Sequence, residues 1–354
     1  MVQQTKSQKI GLFVAPILPS FMSLTCSFTL MTMILRSKVK LATQYRRLIF
    51  GLSCFDVFYS FGSMVSSLPI PVNEDRWGAM GNRHTCNAQG FLVFLGSTGC
   101  PMYNLSLCIF YLSVLVFSIR AKKFFRYIEP LLHVFTILYC FITGLFLLAR
   151  GYFNPGVLMC WIAAYPTECL TDTAIPCERG EKKTLYRWLF VGYPITFVFV
   201  VIIITMSLII WRVHEQEKSV TGYRVKQLAL RRSERESATT TRIRRRITPR
   251  TINGSKKNRE VMLQALYYVL CYFATWILPI TNNILDAKNM VPYSLRVMAR
   301  VISPGQGVLN ILVYTRPHVN ALRRAYPDHS WLKAFKMIVM SGGDNDRFTK
   351  NQRS

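Results

Sequence analysis

Seven stretches of this sequence are long and apolar, roughly residues 10–35, 48–70, 88–119, 130–149, 188–211, 261–280 and 291–315. A helix crossing a bilayer needs about 20 mostly apolar residues, because each residue rises about 1.5 Å through a core about 30 Å thick. The first, fourth and fifth stretches are nearly pure. The third and seventh are interrupted by Asn104, Arg296, Arg300, Gln306 and Asn310. Only 17% of residues are charged, 51% are hydrophobic and the mean hydropathy is +0.23. Of the 61 charged residues, 20 lie within 212–260, which leaves the rest of the chain too apolar for a soluble globular enzyme or a disordered protein.

The net charge is +27. Such an excess could suggest nucleic acid, but here it is confined to segments between apolar runs and sets orientation instead, so no nucleic-acid partner is expected. With the N-terminus outside, the inner segments hold 32 of the 44 Lys and Arg and the outer segments hold 10. The positive-inside rule then places the C-terminus inside and requires an odd number of spans. The expected fold is an all-α membrane protein, a bundle of seven transmembrane helices. Residues 1–9 form an outer N-terminus, 10–315 the bundle and 316–354 a cytoplasmic tail. Residues 212–260, rich in Arg, Ser and Thr, are expected to be a mobile third cytoplasmic loop. Its Arg231-Arg232-Ser233 and Arg244-Arg245-Arg246-Ile247-Thr248 resemble basophilic kinase sites, a short pattern common by chance. The stretch 10–35 is too long for a signal-peptide core and is expected to be retained. No internal repeat supports an inverted-repeat transporter.

Six cysteines lie within apolar stretches and four, Cys86, Cys160, Cys169 and Cys177, fall on the outer, oxidising side. An even number there suggests two disulfides, with three pairings open.

Polar groups inside a membrane need a partner or a wet cavity. Asp56, Gln306 and Asn310 lie about 12, 13 and 7 Å from the cytoplasmic face by helical rise, so a shared polar cluster is expected, with Asn104 a fourth candidate. It would serve as a rearranging hydrogen-bond network or as plain interhelical glue. Arg296 and Arg300 share a helix face about 8 and 14 Å below the outer end of the seventh span. Arg296 is shallow enough to snorkel, but Arg300 is not. No carboxylate occupies the outer half of any span, and Glu74, Asp75 and Asp286 are the nearest in sequence. The two arginines therefore suggest an outward-facing cavity with a cationic wall, suited to an anionic or hydrogen-bond-accepting ligand. Glu129 and His133 also share a face; without further ligands nearby they suggest an ion pair to the second inner loop, and no metal or cofactor is expected.

Several motifs carry a resemblance. Trp276-Ile277-Leu278-Pro279 in the sixth span is similar to the Trp-x-x-Pro element of G-protein-coupled receptors. Gln306-Gly307-Val308-Leu309-Asn310-Ile311-Leu312-Val313-Tyr314 resembles the Gln-Gly-x-x-Asn-x-x-x-Tyr pattern of the cyclic-AMP-receptor-like and secretin-like receptors. Cys160-Trp161 resembles the Cys-Trp pair of the second outer loop in secretin-like receptors, and Cys86-Asn87-Ala88-Gln89-Gly90-Phe91 and Glu129-Pro130 with His133 resemble the protist branch of that group. The resemblance implies a plasma-membrane receptor, not an enzyme, that passes an extracellular small-ligand signal to a heterotrimeric G protein. It also implies a bond between Cys86 and Cys160, leaving Cys169 with Cys177; Cys86 with Cys169 or Cys177 stays open. Pro194, Pro279 and Pro304 would supply helix irregularities, Asn310 and Tyr314 would act on the cytoplasmic half, and Trp276 would line the cavity or its floor, unless it faces lipid.

The chain departs from related groups too. Phe117-Ser118-Ile119-Arg120 stands where rhodopsin-type receptors carry Asp-Arg-Tyr, and with only residues 1–9 before the first span, peptide capture by an outer domain is not expected. The seventh span has no lysine for a retinal Schiff base. In the tail, Pro317 could open an amphipathic eighth helix, and residues 331–338 form a second basic amphipathic patch suited to anionic lipid or a calmodulin-like partner. No cysteine follows Cys271, so no palmitoyl anchor is expected. The rival classes are a seven-span transporter or channel, and a receptor-like scaffold that does not couple.

Overall fold

The computed structural model describes residues 5–342 apart from 75, 118–123, 157–158, 167–168, 170–174, 237–248 and 287–290. The first span is two helices, Lys6–Val14 (α1) and Ile17–Arg36 (α2), because Pro16 supplies no N–H to carry the ladder across the join. The second span is Gln44–Met64 (α3), the third Arg83–Leu115 (α4) and the fourth Glu129–Ala149 (α5). A hairpin follows, pairing Phe153–Pro155 (β1) antiparallel with Cys160–Ile162 (β2). The fifth span begins with Lys183–Arg187 (α6), widens through a π-turn at Trp188–Gly192 and continues as Tyr193–Glu236 (α7). The sixth is Pro249–Asp286 (α8). The seventh is Tyr293–Ile302 (α9), a 3-10 turn at Ser303–Gly305, and Gln306–Ala325 (α10). A final helix, Trp331–Met340 (α11), packs against α10.

Two boundaries differ from the sequence expectation. Helix α10 runs through Pro317, so no separate helix starts there, and the amphipathic tail helix is α11. Its Ala334 and Ile338 are buried one turn apart while Leu332 and Met340 stay exposed. The basic loop is also shorter than 212–260, since α7 reaches Glu236 and α8 starts at Pro249. Arg212 pairs with Glu215 one turn on, and Arg259 of α8 with Glu217 of α7, so charge pairing carries both helices past the membrane face. Residues 118–120, 244–248 and those beyond 342 lie outside the described residues, as do the side chains of 231–233.

Among the described residues five helices, Lys6–Arg36, Arg83–Leu115, Arg126–Ala149, Lys183–Ser219 and Arg259–Leu285, are long and apolar enough to cross a membrane by length and composition alone. The second and seventh spans are more polar because they bury their polar residues inside the bundle. The third span is the axis: 83% of its apolar window is buried, against 22% for the fourth. The fourth and fifth spans instead present Leu131, Phe135, Ile142, Phe197, Ile203 and Ile204 outward, as lipid-facing helices do. Close packing of the second span on the third uses Gly99, where a β-carbon would strike the Phe55 ring. The N-terminus lies outside and the C-terminus inside, and the chain is an integral, multi-pass membrane protein.

Candidate functional site

The outer half of the bundle encloses a cavity of about 240 Å³. Its roof is the hairpin after the fourth span, with Pro155, Gly156, Met159 and Trp161 facing inward. That roof is held by covalent and buried polar ties. Cys86, at the start of the third span, is bonded to Cys160, and Cys169 to Cys177. Gln89, one turn below Cys86, accepts from the Cys160 amide at 3.1 Å and donates to the Gly62 and Ser66 carbonyls at the outer end of the second span. Asn154 donates to the Gly151 and Ala163 carbonyls, both at 2.8 Å, closing the hairpin on itself. Gln89 sits inside a quoted motif, but nothing in its spacing marked it as the roof's anchor.

The walls are strongly cationic. Arg76, Lys183, Arg187, Arg296 and Arg300 line the cavity, and among the described lining residues there is no carboxylate. Arg300 is only 3% exposed and donates to Ser66 Oγ at 3.0 Å. Ser66 itself takes a left-handed backbone (φ 48°), a conformation costing about 1 kcal/mol or more that the bonds from Gln89 and Arg300 hold in place. One described partner of Arg300 is thus a hydroxyl; Asp75 and the Asp286 side chain lie outside the described residues. Arg187 donates to Asn283 Oδ1 at 2.7 Å, joining the tops of the fifth and sixth spans. In the roof, Arg179 lies over the Tyr165 ring at 4.7 Å; burial and neighbouring Arg83 hold its guanidinium below the usual arginine range.

The floor is aromatic. Trp276 is buried, lines the cavity and donates from its indole N–H to Gln306 Oε1 at 2.8 Å. Tyr59 lies 5.8 Å from Trp276, ring to ring, and its hydroxyl is 2.7 Å from Ser303 Oγ, in the 3-10 turn that Pro304 imposes on the seventh span. Pro279 lines the cavity one turn above Trp276.

Below the floor, the expected cluster is divided. Asp56 Oδ2 accepts from Ser27 at 2.6 Å, Ser23 at 3.1 Å and Ser60 at 3.4 Å, so its partners are hydroxyls of the first span and its own helix. Ser23 also accepts the Gly307 amide at 2.8 Å. A β-carbon at Gly307 would collide with Asp56 Oδ2, Ser27 Oγ and the Ser23 carbonyl, so glycine is what lets the first, second and seventh spans meet. Successive helix residues point about 100° apart. With Gly307 facing Asp56, Gln306 turns towards the sixth span and Trp276. Asn104 donates to the Cys100 carbonyl of its own helix. Asp56 Oδ1 and Asn310 Nδ2 are both buried with no direct hydrogen-bond partner.

At the cytoplasmic end a tyrosine cluster ties the second, sixth and seventh spans. Tyr45 and Tyr268 hydroxyls lie 2.8 Å apart, Gln264 Nε2 donates to Tyr45 at 2.6 Å, and the Tyr314 ring stacks on Tyr45 with centroids 6.0 Å apart. Beside it, Glu129 takes both arms of Arg47, at 2.5 and 2.9 Å, with His133 at 3.7 Å. The described partner of Glu129 across the bundle is therefore Arg47 of the second span, while residues 118–123 of the second inner loop lie outside the described residues. Among the described residues no group of His, Cys, Asp and Glu is arranged to hold a metal.

The crystal structure of squid rhodopsin superposes with a TM-score of 0.57 at 12% identity, covering 99% of this chain and 92% of that one. The fold is that of a G-protein-coupled receptor. A family model described as the serpentine type 7TM GPCR chemoreceptor Str matches residues 14–167, which take in the first four spans and the roof hairpin. No curated protein matches the sequence. The likeness to the rhodopsin is one of fold, and the seventh span here has no lysine.

Proposed function

We propose that this receptor binds a small anionic or hydrogen-bond-accepting ligand in the outer cavity and signals through a heterotrimeric G protein. The observation that carries the reading is a cavity lined by five cations and no described carboxylate, floored by a tryptophan hydrogen-bonded to the seventh span. A ligand drawn to Arg300 and Arg296 touches the helix that holds Gln306. Moving that helix disturbs the Trp276–Gln306 bond above and the Tyr45–Tyr314 stack below, both of which join it to other spans. In this reading the tyrosine cluster holds the cytoplasmic end closed, and Asp56, Asn310 and Tyr314 form the element that rearranges. Asn104 and Pro279 complete the set of switch residues, the first under the floor and the second at the sixth-span irregularity.

The matched chemoreceptor description supports a receptor for small molecules. Kinship with the cyclic-AMP-receptor-like and secretin-like group is a separate proposal. It is carried by Gln306 to Tyr314, which lie outside residues 14–167. No catalytic role and no cofactor is part of the proposal. A screen of small metabolites for stimulated nucleotide exchange in receptor-bearing plasma membranes tests it. Stimulation only by cations or uncharged molecules would sink the anionic reading.

A further inference from the structure

We infer that the tail helix α11 is an autoinhibitory clasp that holds the cytoplasmic end of the sixth span against the seventh. The inference rests on the receptor reading and adds a regulatory contact to it. Helix α10 continues past Tyr314 of the tyrosine cluster as far as Ala325. There it meets the inner end of α8 at two points. The Arg316 guanidinium lies over the Tyr267 ring, 4.2 Å from its centroid, and Arg324 donates to Glu260 Oε1 at 3.3 Å. By helical rise the two arginines are about 12 Å apart along α10, and their partners about 10 Å apart along α8. The sixth and seventh spans therefore run side by side, in opposite directions, for about two turns at their inner ends. The Arg324 pair is exposed and adds little. Arg316, half-buried on an aromatic face, is the stronger tie.

Helix α11 supports this part of α10. Val319 and Leu322 project about 60° and 120° round α10 from Arg316. Both are buried in the same apolar cluster as Ala334 and Ile338 of α11, which packs on α10. The far end of α11 is fixed as well. Ser341 is buried, and Gly342 takes a left-handed backbone (φ 70°) that brings it against Arg36 at the end of the first span. Yet α11 is separable. It has 10 residues, and an isolated helix shorter than about 12 residues is marginal in water. Its cap Ser330 accepts the Lys333 amide at 3.3 Å, so most of its helical stability comes from docking on α10. Docking and folding of α11 are then one two-state event, and its state sets how firmly α10 grips α8.

The test uses the full chain in lipid nanodiscs, without ligand. Deuterium uptake by the amides of residues 259–267 reads the inner end of α8 with no G protein present. Nucleotide exchange on a heterotrimeric G protein reads the brake. Ile338→Asp puts a carboxylate into the α10–α11 contact and should speed both by about fivefold or more. Leu332→Asp, on the exposed side of the same helix, should change neither. Arg316→Leu leaves α11 docked and removes the tie to Tyr267, so it should reproduce both effects. It keeps the proposal testable if Ile338→Asp does not fold. The double variant should be no faster than the faster single one, because α11 acts through α10. Deuterium uptake unchanged by Ile338→Asp overturns the clasp, as do additive effects in the double variant or an equal response to Leu332→Asp. Ligand-free nucleotide exchange by Tyr45→Phe receptor separates the two readings. If Tyr45→Phe raises it and Ile338→Asp does not, α11 is no brake. If neither raises it while deuterium uptake still climbs, the contact stands and the receptor reading fails.

Discussion

Removing a single oxygen from Tyr45 should switch the receptor partly on. Tyr45→Phe keeps the ring and its stack on Tyr314 but deletes the contacts to Tyr268 at 2.8 Å and from Gln264 at 2.6 Å. Both partners lie on the sixth span, so the loss falls on the tie between the second and sixth spans. A neutral hydrogen bond contributes about 0.5–1.5 kcal/mol net, which makes the pair worth about 1–3 kcal/mol. If the active arrangement does not use these bonds, its population relative to the closed one rises roughly 5- to 150-fold. Starting from about 1% active, basal activity would climb to between about 5% and a majority of receptors. The assay is ligand-free nucleotide exchange on a heterotrimeric G protein, normalised to surface receptor. Tyr272→Phe is the control. Its hydroxyl is buried with no hydrogen-bond partner, so its removal should leave basal exchange unchanged. Equal basal exchange in wild type and Tyr45→Phe would refute the closed-latch reasoning.

Three other outcomes follow from the same contacts. Asp56→Asn keeps one oxygen for the three serine hydroxyls but removes the carboxylate and puts an amide NH2 where the unpartnered Oδ1 stands, and should suppress the basal activity that Tyr45→Phe creates; a double mutant as active as Tyr45→Phe alone would remove Asp56 from the switch. Gly307→Ala forces a β-carbon into Asp56, Ser27 and Ser23 and should destabilise the receptor by about 1–3 kcal/mol, read as a lower melting temperature; an unchanged melt would mean the three spans separate freely there. The disulfides should differ in weight. Their sequence separations are 74 and 8, which the chain-entropy relation converts to about 4.5 and 2.5 kcal/mol. Surface expression should therefore fall further for Cys86→Ser than for Cys169→Ser, and the reverse order would place the roof's main tie in the shorter loop.

The spans and their direction could be read from the sequence because both depend on quantities that add along the chain: runs of apolar residues and counts of basic ones. The polar contacts could not. Helical rise gave Asp56, Gln306 and Asn310 similar heights, but height carries no information about direction around the helix. The 100° between Gln306 and Gly307 sends one side chain to Trp276 and leaves the other position for Asp56 and the serines. Ser23 and Ser27 were invisible for a related reason, since a serine in an apolar helix usually satisfies itself on the preceding turn. Gln89 and Tyr45 likewise act across spans far apart in sequence, Tyr45 on Gln264 and Tyr268, and no local pattern announces such a pairing. The cationic cavity was legible only in its deepest part. Arg296 and Arg300 stood out inside an apolar run, whereas Arg76, Lys183 and Arg187 read as ordinary loop charges until the fold brought them to the same space.

The central claim is that anion binding among these cations drives the cytoplasmic face. Its most direct measurement is nucleotide exchange by purified receptor and heterotrimeric G protein in nanodiscs, across a panel of small organic anions, run beside radiolabelled uptake of the same anions into proteoliposomes. The account predicts that at least one anion accelerates exchange through the wild-type receptor and not through Arg300→Gln, with no uptake. Uptake of an anion that depends on Arg300, without any acceleration of exchange, would contradict it and assign the same cavity to a transporter.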